Sequence, residues 1–254
     1  MENSKVIRRI REFIEREANA GKKVSVYEKT SELSNYFKKM KIGVELDNFK
    51  EIILKEETKL ELGGINKKSF SLIYPSNELD HIQDGTITLI GPEINEISDP
   101  SIDFGIFILI GSKKINEKDF DALRHLSFIS SGIEGFMIRT IPRRFWCRIN
   151  ENIIKKFSFE FLGKAIIYLY KQKFKELITT IEIILINSYP DLIDEFIEIS
   201  SDIRNYIDSK WKDKIEKWKK RIDCDYDWEC DACPYYDTCE EVKEVLEERR
   251  KIGD

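Results

Sequence analysis

Thr86-Ile87-Thr88-Leu89-Ile90-Gly91-Pro92 is the stretch whose reading decides the fold. Five β-branched or aliphatic residues run without a break and stop at Gly-Pro, a pair that ends regular structure. The same short, branched, turn-bounded pattern recurs at Gly105–Ile110, Phe136–Ile141, Phe145–Ile149 and Thr179–Ile186, closed by Gly111-Ser112 and Pro142 among others. Helical periodicity fills the intervals. Residues 117–129 carry one helical pattern. Phe161, Ala165, Tyr168 and Leu169 keep helical spacing within Phe159–Phe174. Strands alternating with helices predict an α/β class, a central mixed α/β layer domain over residues 45–188.

Outward from that domain the pattern turns helical on both sides. Val6, Ile7, Ile10, Phe13 and Ile14 follow the i, i+3, i+4, i+7 template, Gly21 interrupts it, and Leu33, Tyr36, Phe37 and Met40 share one face of a second segment. Residues 1–44 are therefore expected as an N-terminal helical hairpin. Lysine and arginine outnumber acids 11 to 6 over residues 1–43. No recognition-helix signature accompanies that excess, so a solvated hairpin packed on the main domain is preferred to a DNA reader. Residues 189–254 are expected as a helical segment: Leu192, Ile193, Phe196 and Ile199, then Ile203, Tyr206 and Ile207, then Trp211, Ile215 and Trp218.

Composition excludes several classes. The chain has 254 residues, is 41% hydrophobic and 35% charged, and carries a formal net charge of −5. The balance of 42 basic against 47 acidic side chains gives no global pull toward nucleic acid or anionic membranes. The N-terminus shows no apolar leader region, and no apolar run approaches the length of a membrane span. The expectation is a cytoplasmic protein without a membrane partner. In a reducing compartment, clustered cysteines read as metal ligands before disulfides.

Such a cluster exists. Four of the five cysteines, Cys224, Cys230, Cys233 and Cys239, fall in one window with spacing C-x5-C-x2-C-x5-C. Thiolates suit soft metals, and the C-x2-C pair lets two sulfurs converge from a tight turn. Pro234 directly follows Cys233, a habit of iron–sulfur loops. Structural zinc knuckles usually stand farther apart. An iron–sulfur centre leads, with zinc or redox thiols as the alternatives. Asp223, Asp225, Asp227, Glu229 and Asp231 would lower a cluster's reduction potential, or simply solvate the loop.

A second constellation surrounds Trp146. Arg139, Arg143, Arg144 and Arg148 lie about it, and guanidiniums interleaved with aromatics could hold the phosphates and adenine of CoA. A basic strand face or a protein-docking surface is the competing reading. Cys147 is expected as a small buried hydrophobe, and His81 and His125 have no ligand-spaced partner. Gly63-Gly64 is read as a turn; no P-loop or G-x-G-x-x-G is present.

Read in order, these stretches resemble a known family, the β subunit of the acetyl-CoA decarbonylase/synthase (CO dehydrogenase/acetyl-CoA synthase) complex. Leu60-Glu61-Leu62-Gly63-Gly64 is similar to its VELGG segment. Asp84 to Ile97 is similar to DGKIEVIGPDIDQIP, Phe104-Gly105-Ile106 to its LGI strand, Glu134-Gly135 to GEG, and Trp146-Cys147-Arg148-Ile149 to WLRV. Phe157-Ser158-Phe159 with Gly163 resembles a helix entry, and Cys230 and Cys233 fall where the family's first cluster cysteines lie. The likeness covers roughly residues 45–240.

The resemblance implies a middle domain that runs into a metal-bearing segment, and it raises a [4Fe–4S] cluster over zinc. The family's third cubane cysteine follows after x8; here Cys239 follows after x5, and Cys224 would have to stand in for the fourth. The family's nickel-binding Cys-Gly-Cys has no counterpart, which argues against nickel and against a complete acetyl-CoA synthase. The leading expectation is an iron–sulfur accessory, electron-transfer or assembly component. Its partner would be a CO dehydrogenase, a corrinoid iron–sulfur protein or another anaerobic redox enzyme of C1 metabolism. The alternatives are a degenerate CoA- or corrinoid-dependent acyl or methyl transfer subunit, and a zinc-stapled DNA-binding regulator.

Overall fold

The computed structural model describes residues 3–28, 57–63, 66–112, 128–129, 136–141 and 144–203, with Asn205 and Ser209. The chain divides into two compact units, Met1–Ser200 and Ser201–Asp254. The sheets described below belong to the first.

Ten strands are described: β1 (Val24–Tyr27), β2 (Thr58–Gly63), β3 (Ser69–Ser76), β4 (Ile87–Ile90), β5 (Ser101–Ile102), β6 (Phe104–Gly111), β7 (Phe128–Ile129), β8 (Phe136–Ile141), β9 (Arg144–Asn150) and β10 (Thr180–Asn187). The helices are α1 (Asn3–Asn19), α2 (Glu151–Ile154), α3 (Phe159–Lys173) and α4 (190–203). They build two sheets, with strand orders β1-β4-β10-β6-β3 and β5-β2-β9-β8-β7. In the first sheet β4 runs parallel to β10 and β3 parallel to β6, while β10–β6 and β1–β4 are antiparallel. The second is antiparallel apart from the β2–β5 contact.

Hydrophobic patterning explains the layers. All eight residues of β6, all four of β4 and seven of eight in β10 are buried, so the centre of the first sheet is covered on both faces. Phe104, Ile106, Ile108 and Ile110 point one way. They join α3 (Phe159, Leu162, Ile166, Leu169) and the inner face of the second sheet (Leu60, Leu62, Phe145, Cys147, Ile149) in one core. Phe104 stacks on Phe159 at 5.7 Å between ring centroids and tilts against Phe145 at 5.0 Å. The opposite face carries Phe107, which meets Phe196 of α4 at 5.9 Å; Phe196 also touches Phe70 and, at 4.4 Å, Phe13 of α1.

Helix α1 forms because Val6, Ile7, Ile10 and Phe13 make one apolar stripe, all buried. Arg11, on its flank, clamps the carboxylate of Glu182, which is wholly buried in β10, at 2.5 and 2.6 Å; the Gln83 amide donates to the same group at 2.8 Å. Ser158 caps α3 by accepting from the Phe161 amide.

The structure corrects several sequence-based expectations. The segment after Gly21 does not continue as helix: Val24–Tyr27 is an edge strand of the first sheet. Val24, Val26 and Tyr27 favour extended backbone, and the buried strand β4 gives them a partner. Leu33, Tyr36, Phe37 and Met40 lie outside the described residues. Phe128–Ile129, expected to end a helix, pairs with β8, and residues 117–127 lie outside the described set. Strands β2 and β3 are additions. β3 alternates half-buried Ser69, Ser71 and Ile73 with buried Phe70, Leu72 and Tyr74, and tolerates Pro75 because it lies at a sheet edge.

Candidate functional site

Strand β9 is Arg144-Phe145-Trp146-Cys147-Arg148-Ile149-Asn150, and its burial alternates strictly. The two-residue period of a strand sends Phe145, Cys147 and Ile149 into the core and puts Arg144, Trp146 and Arg148 on the outer face. Burial pushes the Cys147 thiol well above its ordinary range, so this cysteine is an inert core residue.

Neighbouring strands complete the outer face. Glu61 of β2 stands directly opposite Arg148, and Gly63 opposite Trp146. On the other side Arg139 of β8 is in register with Trp146, and Ile141 with Arg144. A single carboxylate oxygen, Glu61 Oε1, accepts from Trp146 Nε1 at 2.7 Å and from Arg148 Nε at 2.9 Å. The Arg148 guanidinium lies 4.5 Å from the Trp146 ring centroid, stacked over it. Arg148 and Glu61 keep only 16% and 23% of their side-chain surface exposed. Charge pairing, hydrogen bonding and stacking thus hold two planar groups in one orientation.

Gly63 makes the close approach of the strands workable. Its φ of +71° suits glycine, and a Cβ there would lie 2.2 Å from the Phe145 carbonyl oxygen and 2.8 Å from Ser69 Oγ.

Of Arg143, Arg144, Trp146 and Arg148, the structure brings Trp146 and Arg148 together and places Arg144 exposed on the same strand face. Arg143 lies outside the described residues. Glu61 was missed as a site residue. Its signal was its place in Leu60-Glu61-Leu62-Gly63, but linking it to Arg148 needs the β2–β9 register, a pairing 87 residues apart in sequence.

Cys224, Cys230, Cys233 and Cys239 also lie outside the described residues. Among the described residues, no group of three or more His, Cys, Asp or Glu is placed to hold a metal ion, and no helix is long and apolar enough to cross a membrane.

Comparison with known proteins bears on this arrangement. The model of the CO dehydrogenase/acetyl-CoA synthase complex beta subunit family matches residues 40–191. The chain belongs to that family. A relative from Methanopyrus kandleri, acetyl-CoA decarbonylase/synthase complex subunit beta, is 27% identical over 162 residues, 62% of this chain and 34% of its own length. The same subunit from Archaeoglobus fulgidus is 30% identical over 128 residues, 48% of this chain and 24% of the relative. Carbon monoxide dehydrogenase/acetyl-CoA synthase subunit alpha of Moorella thermoacetica is 25% identical over 178 residues, 68% of this chain and 23% of the relative. The matched part of this chain thus corresponds to between 23% and 34% of each relative's length. The beta subunit family match takes in β2 through β10 and therefore the Glu61–Trp146–Arg148 cluster; α1, β1 and the four clustered cysteines lie beyond it.

Proposed function

We propose that this chain acts as a component of a CO dehydrogenase/acetyl-CoA synthase-type redox system. In this reading it bears a [4Fe–4S] cluster on Cys224, Cys230, Cys233 and Cys239. The observation that carries the reading is the sequence order: a family match over residues 40–191, followed downstream by four closely spaced cysteines. The donor set fits the group, since four thiolates are the usual complement of such a cluster. A bound cluster supplies one-electron transfer. The chain's own part is to provide the thiolates, and five neighbouring acids that favour the oxidised state. Its partner in this role would be a CO dehydrogenase, a corrinoid iron–sulfur protein or another redox enzyme.

Anaerobic purification followed by metal and sulfide analysis tests the reading. About four irons and four sulfides per chain, a brown chromophore and an EPR signal on reduction are expected. Cys230→Ala or Cys233→Ala should lower the iron content. A colourless protein holding one zinc and no sulfide would overturn the cluster.

A second reading concerns the outer face of β9. The Trp146–Arg148 stack and the exposed Arg144 favour CoA as a ligand, which would make the chain an acyl- or methyl-transfer subunit. Calorimetric titration of the full chain with CoA tests it, and the absence of saturable binding would remove it.

A further inference from the structure

We propose that the end of the first sheet, where β3 and β6 finish, holds a monovalent alkali cation, sodium or potassium, on the oxygens of Glu78, Thr180 and Ser76.

Strand register builds the niche. Ser76, Gly111 and Thr180 stand side by side across β3, β6 and β10. Paired residues on neighbouring strands share a face, so the Ser76 and Thr180 hydroxyls flank a residue that has no side chain. Their Cα atoms are about 10 Å apart, twice the spacing between strands. Thr180 Oγ1 leans into the gap: a Cβ on Gly111 would lie 2.0 Å from it. A turn closes the row. The Glu78 amide donates to Ser76 Oγ at 3.1 Å, and Leu79, the next residue, comes within 2.8 Å of the same point above Gly111. The Glu78–Leu79 turn therefore spans the row from the Ser76 end to the Thr180 end. β3 and β6 run parallel and both finish here. Open sheets take ligands outside the carboxyl ends of such strands.

Two oxygens of the niche are unsatisfied. Glu78 Oε2 and Thr180 Oγ1 are shut off from solvent, and neither has a hydrogen-bond partner. A buried oxygen without a partner costs free energy that a bound cation would recover. Charge decides which cation. Glu182 lies one row further in on the same face, and Arg11 meets its charge. Glu78 has no ion pair among the described residues, so the niche offers one uncompensated negative charge. The donors are a carboxylate and hydroxyls, with no thiolate or imidazole to draw a transition metal. Oxygen donors suit hard cations, and a divalent ion would keep half of its charge unmatched.

The test is thermal unfolding of the full chain in sodium, potassium and choline chloride at one ionic strength, choline being too large to enter. Sodium or potassium should raise the melting temperature by about 3 °C over choline. Glu78→Gln and Thr180→Val should each abolish that increment, whatever their melting temperature in choline. Glu198→Gln, exposed on α4, should keep it. Sodium NMR gives a second readout: the unaltered chain should broaden the sodium line, and added potassium should reverse the broadening. Should Glu78→Gln fail to fold, Thr180→Val carries the test. Equal melting temperatures of the unaltered chain in all three salts overturn the site and leave the niche to water alone. An increment that survives in either folded variant places the cation elsewhere and overturns it too. A larger increment from calcium than from either alkali ion overturns the monovalent assignment.

Discussion

Ser69 and Phe145 exchange two hydrogen bonds across the two sheets: Ser69 Oγ donates to the Phe145 carbonyl at 2.5 Å and accepts from the Phe145 amide at 2.9 Å. One residue begins β3 and the other lies at the start of β9, so one hydroxyl links the first sheet to the strand that carries Trp146. Ser69→Ala leaves both backbone groups without this partner in a half-buried place. Chemical denaturation should show a loss of about 1–2 kcal/mol. The near-ultraviolet signal of Trp146 should shift, because the strand is no longer held.

Arg11 answers a different need. Glu182 is fully buried, and Arg11 provides its compensating charge, with the Gln83 amide as a further donor. Arg11→Ala strands a carboxylate inside the sheet, and the expected cost is on the order of 3 kcal/mol. Replacing Glu182 with glutamine as well should recover part of that loss. Urea unfolding of the single and double variants measures it, and full additivity would contradict the pairing.

Cys147 should resist alkylation. Burial raises its thiol and closes access to it. Treatment of the native chain with iodoacetamide, followed by peptide mass mapping, should leave the peptide containing Trp146 and Cys147 unmodified until denaturant is added. Fast labelling in the native state would show that β9 opens.

The Glu96 carboxyl sits below the ordinary glutamate range, chiefly because of the Lys23 ammonium and secondarily through the Glu93 amide. A depressed folded value stabilises above the unfolded value of about 4.3 and is lost as pH falls through the folded value. NMR titration should find Glu96 protonating later than a free glutamate on acidification, and Lys23→Ala should bring it back toward the usual range. Both side chains are largely exposed, so the melting temperature should barely change.

Much of the architecture was legible because its strands speak locally. Phe104–Gly111 is a continuous apolar run and Thr180–Asn187 an apolar run broken only by Glu182 between its ends, and their limits lie within a residue of those expected. β8 and β9 read as well, since Pro142-Arg143 stands between two branched segments. Val24–Tyr27 did not: four residues are too short a run to read as a strand, and Val24, Val26 and Tyr27 become one because β4 offers them an edge. The site was half legible for the same reason. Trp146 and Arg148 share a face by the two-residue period alone, whereas Glu61 joins them through a cross-strand register that local pattern does not contain.

That edge has a practical consequence. β1 lies outside the stretch shared with the family, yet it covers one flank of β4, whose four residues are all buried. A truncation cut to residues 40–191 would strip this cover and the α1 clamp on Glu182 together. It would present a bare, flat apolar edge ready to pair with another copy. Fragments designed from the shared stretch alone should therefore precipitate or oligomerise, and those that begin ahead of α1 should stay monodisperse in size-exclusion chromatography.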